Sequence, residues 1–183
     1  MVVPAVVSSS VACRPPHETL AAAIESAAQA DAPFLTFHGG RDGEVRLGAR
    51  EALARARRWA ALFRRHGARR GDRVVILLPT GEAFATALLG AALSGTAPVP
   101  LATPMTFGST EPFLRNLAAI VANARPSVIV TVPRVIDALA AAAIPSFGVP
   151  IVTPADRDAL SELDVATTHA LAGSVGASDI ALL

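Results

Sequence analysis

Few residues in this chain are of a type and spacing that could do chemistry. Gly39-Gly40, set between His38 and Arg41-Asp42-Gly43, could cradle a phosphate on backbone N–H groups. No helix opens directly after it and no G-x-x-x-x-G-K-[ST] pattern follows, so turn geometry accounts for the glycines. Gly173-Ser174-Val175-Gly176 resembles a nucleophile elbow, but it is not G-x-S-x-G and no strand leads into it. Pro79-Thr80-Gly81-Glu82 stands where a dinucleotide fold would need G-x-G-x-x-G. Cys13 is the only cysteine, which excludes an intrachain disulfide and a cysteine-based zinc site. His66 stands beside Gly67 at a helix end, where an imidazolium suits the helix dipole. No second histidine or carboxylate lies at ligand spacing from it. All sixteen basic residues are arginine, and there is no lysine and no tyrosine. A Schiff-base lysine, a P-loop lysine and a tyrosine acid or base are therefore excluded within these residues. The residues nominate no catalytic, cofactor-binding or metal-binding side chain, and they leave the substrate-binding residues unknown.

The elements that would position a site are easier to read. Val74 to Leu78 is an unbroken apolar run rich in β-branched residues, opened by Gly71-Asp72 and closed by Pro79-Thr80-Gly81, the pattern of a strand buried on both faces. Glu82 to Ser94 follows at helical length, apolar nearly all round, with Gly95 placed as its C-terminal cap. Ala97 to Leu101 reads as a second strand, which completes a right-handed βαβ unit.

Upstream, residues 1–16 have no helical or strand period and read as a loose leader. Glu18 to Ala30 is a first helix with Leu20, Ile24 and Ala27 on one side. Phe34–Phe37 and Glu44–Leu47 form a β-hairpin across the Gly-rich turn. Ala49 to His66 is the best helix, with Leu53, Ala56, Trp59, Ala60 and Phe63 on one stripe and Glu51–Arg55 as a favourable i,i+4 pair. Its arginines at 50, 55, 57, 58, 64 and 65 read as a solvated face whose stems cover the core edge. No interleaved aromatics are present to stack bases.

Downstream, a surface loop over 102–110 leads to a helix from Glu111 to Ala124, with Phe113, Leu117, Ile120 and Ala124 on one face. Ser127–Thr131 is a third strand, Pro133 to about Ala142 a helix, and Pro150–Thr153 a fourth strand. Thr153-Pro154 opens a short helix to Leu163, and 164–178 reads as loose. The alternation predicts an α/β fold of three layers, a mostly parallel sheet with helices on both faces and an N-terminal β-hairpin. Val74–Leu78 is central, and the expected core gathers Val74, Ile76, Leu78, Phe84, Leu88, Leu117, Ile120, Ile129 and the Leu53/Phe63 face.

Composition narrows the function classes. The 183 residues suffice for one cored domain, and 52% are hydrophobic. The mean hydropathy of +0.47 owes much to alanine. No run of eighteen apolar residues is free of polar interruption, so no membrane span is expected. A net charge of +1 gives no electrostatic case for nucleic acid. A lipoprotein signal ending at Cys13 is disfavoured, because no basic residue precedes the apolar part of Met1–Ala12 and Ser8-Ser9-Ser10 interrupts it. The expected location is cytoplasmic.

The stretch G-D-R-V-V-I-L-L-P, a helix, then L-S-G-T-A-P-V-P-L resembles the N-terminal part of adenylate-forming enzymes, most like fatty acyl-AMP ligases and acyl-CoA synthetases. The likeness runs from about Phe34 to Leu183. It implies an incomplete N-terminal domain over 17–183. In that family the strand resembling Ser178-Asp179-Ile180-Ala181-Leu182-Leu183 runs into a loop that holds the ATP phosphates. The intact enzyme would use ATP and magnesium to convert a carboxylic acid, expected to be a fatty acid, to acyl-AMP. It would then pass the acyl group to a thiol of CoA or an acyl carrier protein. The resemblance transfers no catalytic residue. Gly71, Asp72, Arg73, Gly95, Pro98, Pro100 and Asp179 match its scaffold positions, as turn, strand-opening and packing residues. No cofactor is expected to bind these residues alone.

The reading is therefore a part of an acyl-activating ligase, inactive by itself. Its expected exposed surfaces are the Ile180–Leu183 strand and one side of the Glu82–Ser94 helix, which would favour self-association. The alternative is a non-enzymatic α/β binding or docking module. A receiver-like domain fits worse, because the strands end in Leu78-Pro79, Pro100-Leu101 and Thr131-Val132 rather than in carboxylates.

Overall fold

The computed structural model describes residues 16–30, 33–38, 43–103, 110–142, 147–169 and 175–179. Cys13, the leader, the Gly39-Gly40 turn, Ser174 and the Ile180–Leu183 strand lie outside the described residues. In order come α1 (Leu20–Ala27), β1 (Pro33–His38), β2 (Glu44–Gly48), α2 (Ala49–Arg65), β3 (Arg73–Ile76), α3 (Glu82–Ser94), β4 (Ala97–Pro100), α4 (Thr110–Ala124), β5 (Val128–Val130), α5 (Pro133–Ala141), β6 (Ile151–Val152), α6 (Pro154–Asp158) and α7 (Glu162–His169).

β3 to β6 form one parallel sheet in the order β4-β3-β5-β6, and β1 pairs antiparallel with β2 as a separate hairpin. The α/β expectation and the central place of the Val74 run both hold. β3 is hydrogen-bonded on both edges, Val74 in register with Pro98 on one side and Val128 on the other. Alternation assigns its side chains to two layers. Val74, Ile76 and Leu78 face α2 and α3, where they meet Trp59, Phe63, Ala87 and Ala91. Val75 and Leu77 face α4 and α5, against Leu114, Leu117, Val121, Val135 and Leu139. A third cluster lies behind α2 and α3, where Ile24 of α1 and Leu35 and Leu47 of the hairpin pack on Leu53, Ala56, Leu89 and Leu93. The expected single core is thus three clusters; Phe84 and Leu88 are half-buried against the first, and Ile120 is half-buried on α4.

Both long helices of the first layer end in the same way. Gly67 and Gly95 adopt φ of 89° and 70°, and the residue after each donates back into the last turn, Ala68 N–H to Phe63 O at 3.0 Å and Thr96 N–H to Ala91 O at 3.0 Å. This is the Schellman arrangement, which turns the chain sharply toward β3 and β4.

Some expectations need correction. The helix expected from Pro154 to Leu163 is two helices, and the stretch from 164 that read as loose continues the second one to His169. Each is opened by its own acidic cap: the Thr153 N–H and hydroxyl both donate to Asp156 Oδ2 at 2.7 Å, and the Ser161 hydroxyl donates to Asp164 Oδ2 at 2.7 Å. Two capping boxes so close together cannot share one helix. On α4 Leu117 is buried as expected, but its buried partners are Leu114 and Val121, each one position on from the expected Phe113 and Ile120, which are only half-buried. On α1, Ile24 and Ala28 are buried, while Leu20 is 48% exposed. On α3 the side expected to face water is half-buried: Glu82, Ala83, Phe84, Ala85 and Leu88 are partly exposed, and the rest of the helix is buried.

The sheet has one chemically closed edge. Ala97 N–H bonds to Asp72 O and Leu101 N–H to Ile76 O, so alternate residues of β4 face β3. The outward positions are Pro98 and Pro100, which have no N–H to offer a further strand.

Candidate functional site

In an open parallel sheet, ligands bind outside the carboxyl ends of the strands, where the strand order reverses. Here the chain goes from β3 to β4 on one side and then crosses to β5 on the other. Thr131, completely buried at the end of β5, ties the two strand ends together by donating its hydroxyl to Leu77 O at 3.1 Å. Over the ends of β3 and β4, at the head of α3, lies an open cleft of about 570 Å³ lined by Leu78, Pro79, Thr80, Phe84, Pro100, Leu101, Ala102 and Thr103. Its lining carries two hydroxyls and no charged group. It suits an apolar body. It supplies neither the carboxylates that a metal ion needs nor the cations that a triphosphate needs, so no step through ATP or magnesium is derived from it.

Behind the cleft wall sits a charged network, of which sequence reasoning found the Glu51–Arg55 pair and missed the links to Glu82 and Arg157. Arg157 of α6, 5% exposed, donates from Nη1 to Glu82 Oε1 at 2.8 Å and lies 5.3 Å from the Trp59 ring centre. Glu82 also accepts from Arg55 of α2 at 3.1 Å, and Arg55 reaches Glu51 at 2.6 Å. Burial works against the Arg55 charge, but Glu82 and Glu51 outweigh it and hold the guanidinium above its ordinary range. Thr86 accepts from Trp59 Nε1 at 3.1 Å and donates to Glu82 O at 2.8 Å. The network fixes the first turn of α3, and with it Phe84, against α2 and α6.

The arginine face of α2 is spent in the same way. Arg57 pairs with Glu25, Arg58 with Glu162 and the Leu160 carbonyl, and Arg65 with Asp164. These pairs clamp α1 and α7 onto α2, which uses the guanidinium heads as well as the expected stems. A charge on a helix face gives no sign in sequence of which later element it will meet.

The scaffold motif is accounted for by hydrogen bonds at the opposite end of the sheet. Gly71 takes φ of 83° and donates to Gly95 O at 2.8 Å, and Asp72 accepts from Arg69 N–H at 2.8 Å. Arg73 reaches across to the end of α4 and donates to Ala124 O at 2.8 Å and Arg125 O at 2.9 Å. Two charge-assisted bonds cap carbonyls that the helix leaves unpaired. Replacing Arg73 with alanine should cost about 2 kcal/mol, read as a lower urea midpoint at unchanged slope. Arg73→Met, which keeps the stem, should lose nearly as much.

Asp179 accepts from Arg70 Nε at 3.0 Å and Nη2 at 2.8 Å, and its other oxygen accepts from Gly176 N–H at 2.9 Å. The Arg70 hydrogen bonds, then the Gly176 bond, hold its carboxyl below the usual range. His66 caps the end of α2. Among the described residues no group of three or more His, Cys, Asp or Glu could hold a metal ion, and no helix is long and apolar enough to cross a membrane.

A parallel sheet of this order, with its Gly-Asp-Arg turn and its Gly95 stop, can be set beside known proteins. Residues 23–174 match the AMP-binding enzyme family. The chain belongs to that family. Among curated relatives of the chain, FadD21 of Mycobacterium tuberculosis (strain ATCC 25618 / H37Rv), named as a fatty-acid–CoA ligase, is 40% identical over 91 residues. The match covers 45% of this chain and 15% of that protein. FadD23 of Mycobacterium tuberculosis (strain CDC 1551 / Oshkosh), named as a long-chain-fatty-acid–AMP ligase, is 43% identical over 72 residues, 39% of this chain and 12% of the relative. The matched regions thus span about one-seventh of these relatives' length. A structure from a study of fatty acyl-adenylate ligases of E. coli and L. pneumophila superposes with a TM-score of 0.77 at 27% identity, covering 92% of this chain and 29% of its own. The L. pneumophila fatty acyl-adenylate ligase solved with acyl adenylate and pyrophosphate shares the fold at a TM-score of 0.68 and 19% identity.

Proposed function

We propose that these residues are the scaffold part of the N-terminal domain of an ATP-dependent fatty acid ligase. The intact enzyme would join a fatty acid to AMP and pass the acyl group to a thiol of CoA or a carrier protein. The observation that carries the reading is the match over 23–174, together with relatives whose names specify fatty acids as substrates. The cleft above β3 and β4 supports an apolar contribution: Phe84, Leu78 and Leu101 would form one wall of a substrate site. Phosphate chemistry would come from groups outside these 183 residues, because each positioned donor is worth about 3 kcal/mol of transition-state stabilisation and the cleft offers no cation.

The test is ATP–pyrophosphate exchange with a panel of fatty acids, run on the 183-residue chain and on the product of the coding DNA read on beyond codon 183. The expected result is background exchange for the chain and acid-dependent exchange for the longer product. Background in both would overturn the ligase reading and favour a docking module. Exchange by the 183 residues alone would overturn the scaffold reading.

A further inference from the structure

Val175, Gly176, Ala177 and Asp179 line a pocket of about 110 Å³ together with Leu20 and Ala21 of α1 and with Ala92, Gly95 and Thr96 at the end of α3. Within this segment the chain is turned back on itself, since Asp179 N–H donates to Gly176 O at 3.0 Å and Gly176 N–H donates to Asp179 Oδ2. Among the described residues, the hydrogen bonds that join the segment to the rest of the protein both come from one side chain, Arg70. Arg70 is itself seated: its stem would lie 3.1 Å from a Cβ at Gly95, and Val175 would lie 3.4 Å from the same point. A side chain at Gly95 would therefore press on both the latch and the segment it holds.

We infer that 175–179 is a strap, latched over the α1–α3 pocket by the Arg70–Asp179 ion pair and released when that pair is broken. Two Arg70 donors, Nε and Nη2, converge on the one oxygen Oδ1, and the other oxygen is taken by Gly176 N–H. The pair is half-exposed, which makes it sensitive to salt. The strap adds little to the core, so release opens the pocket and leaves the sheet intact. The inference stands apart from the ligase reading, because it concerns only contacts within this chain.

Amide exchange followed by NMR on the isotope-labelled 183-residue chain tests it, with the Gly176 N–H as reporter and the Val75 and Ile129 amides as controls. Arg70→Gln removes the latch. Asp179→Asn removes the charge but keeps an oxygen that can still accept from Gly176. In both variants exchange at Gly176 should accelerate roughly three- to tenfold while the control amides stay unchanged. Salt raised to about 1 M should accelerate it in the unmodified chain and have little effect in Arg70→Gln. Protection at Gly176 that survives Arg70→Gln would overturn the latch and leave only a local turn. Acceleration matched by the control amides would show general loosening and overturn the strap.

Discussion

Ile76→Asp should leave the chain largely unfolded at room temperature, with a loss of about 5 kcal/mol. Ile76 is wholly buried, in register with Pro100 on one side and Val130 on the other, and its side chain enters the cluster around Trp59 and Phe63. Two costs add. The isoleucine's burial is lost, worth about 2 kcal/mol or more, and a carboxyl is placed among apolar side chains that offer it no hydrogen-bond partner. A domain of this size has about 5–15 kcal/mol in all, so the loss is comparable to the whole. Burial raises the folded-state pKa of the introduced carboxyl above its unfolded value. The deficit is therefore full at neutral pH and narrows as pH falls toward the ordinary carboxylate range. Ile76→Val, which removes one methylene, should cost only about 1 kcal/mol. Urea unfolding followed by the fluorescence of the single tryptophan measures all of this. An unchanged midpoint for Ile76→Asp would refute the central position of β3.

The parts of the fold that sequence made plain are those where one local signal had no competitor. The Val74–Leu78 run could only be buried on both faces, and Gly95 could only be a stop, because the apolar helix before it needed one. The parts that misread had signals that were present but outranked. Ser161-x-x-Asp164 is a capping box, but the Thr- and Ala-rich sequence after it lacks the apolar period of a helix. On α4, Phe113 and Leu114 are adjacent and both apolar, so the period alone could not choose between two faces. The choice is made by Val75, Leu77 and Ile129 on the sheet. Leu20 has helical spacing from Ile24, yet it stands half-exposed at the pocket that residues 175–179 also line.

The candidate site was less legible still, and for a physical reason. The cleft is made by the ends of β3 and β4 and by the head of α3, so it exists only once the strand order is known. The network behind it joins Arg157 to Glu82, 75 residues apart in sequence, and no local pattern announces such a pair. What sequence did supply was the Gly71-Asp72-Arg73 turn and the Gly95 stop. Their hydrogen bonds lie at the other end of the sheet, where they fix the strands whose far ends form the cleft.

Gly90→Ala should destabilise the chain by about 2 kcal/mol, against the direction that helix propensity alone would give. In a free helix this change gains about 1 kcal/mol, because glycine is the poorer helix former. Gly90 lies in α3 directly over α2. A Cβ there would stand 2.5 Å from Trp59 Cβ, 2.8 Å from the Ala56 carbonyl oxygen and 3.2 Å from Ala60 N. Two of these three atoms are backbone and the third is the first atom of a completely buried side chain, so none can swing aside. α2 and α3 must separate, and that opens the contact between Trp59, Phe63, Ala87 and Ala91 that both helices share with β3. Overpacking against rigid neighbours costs about 1–3 kcal/mol, and lost contacts across the layer add to it, which outweighs the propensity gain. Gly90→Val should cost more than Gly90→Ala, since branching enlarges the clash. Because the clash falls on Trp59, the near-ultraviolet circular dichroism of the folded variant should change along with its melting temperature. A Gly90→Ala variant that melts higher, with an unaltered tryptophan signal, would show that propensity wins and that α2 and α3 are not held at this distance.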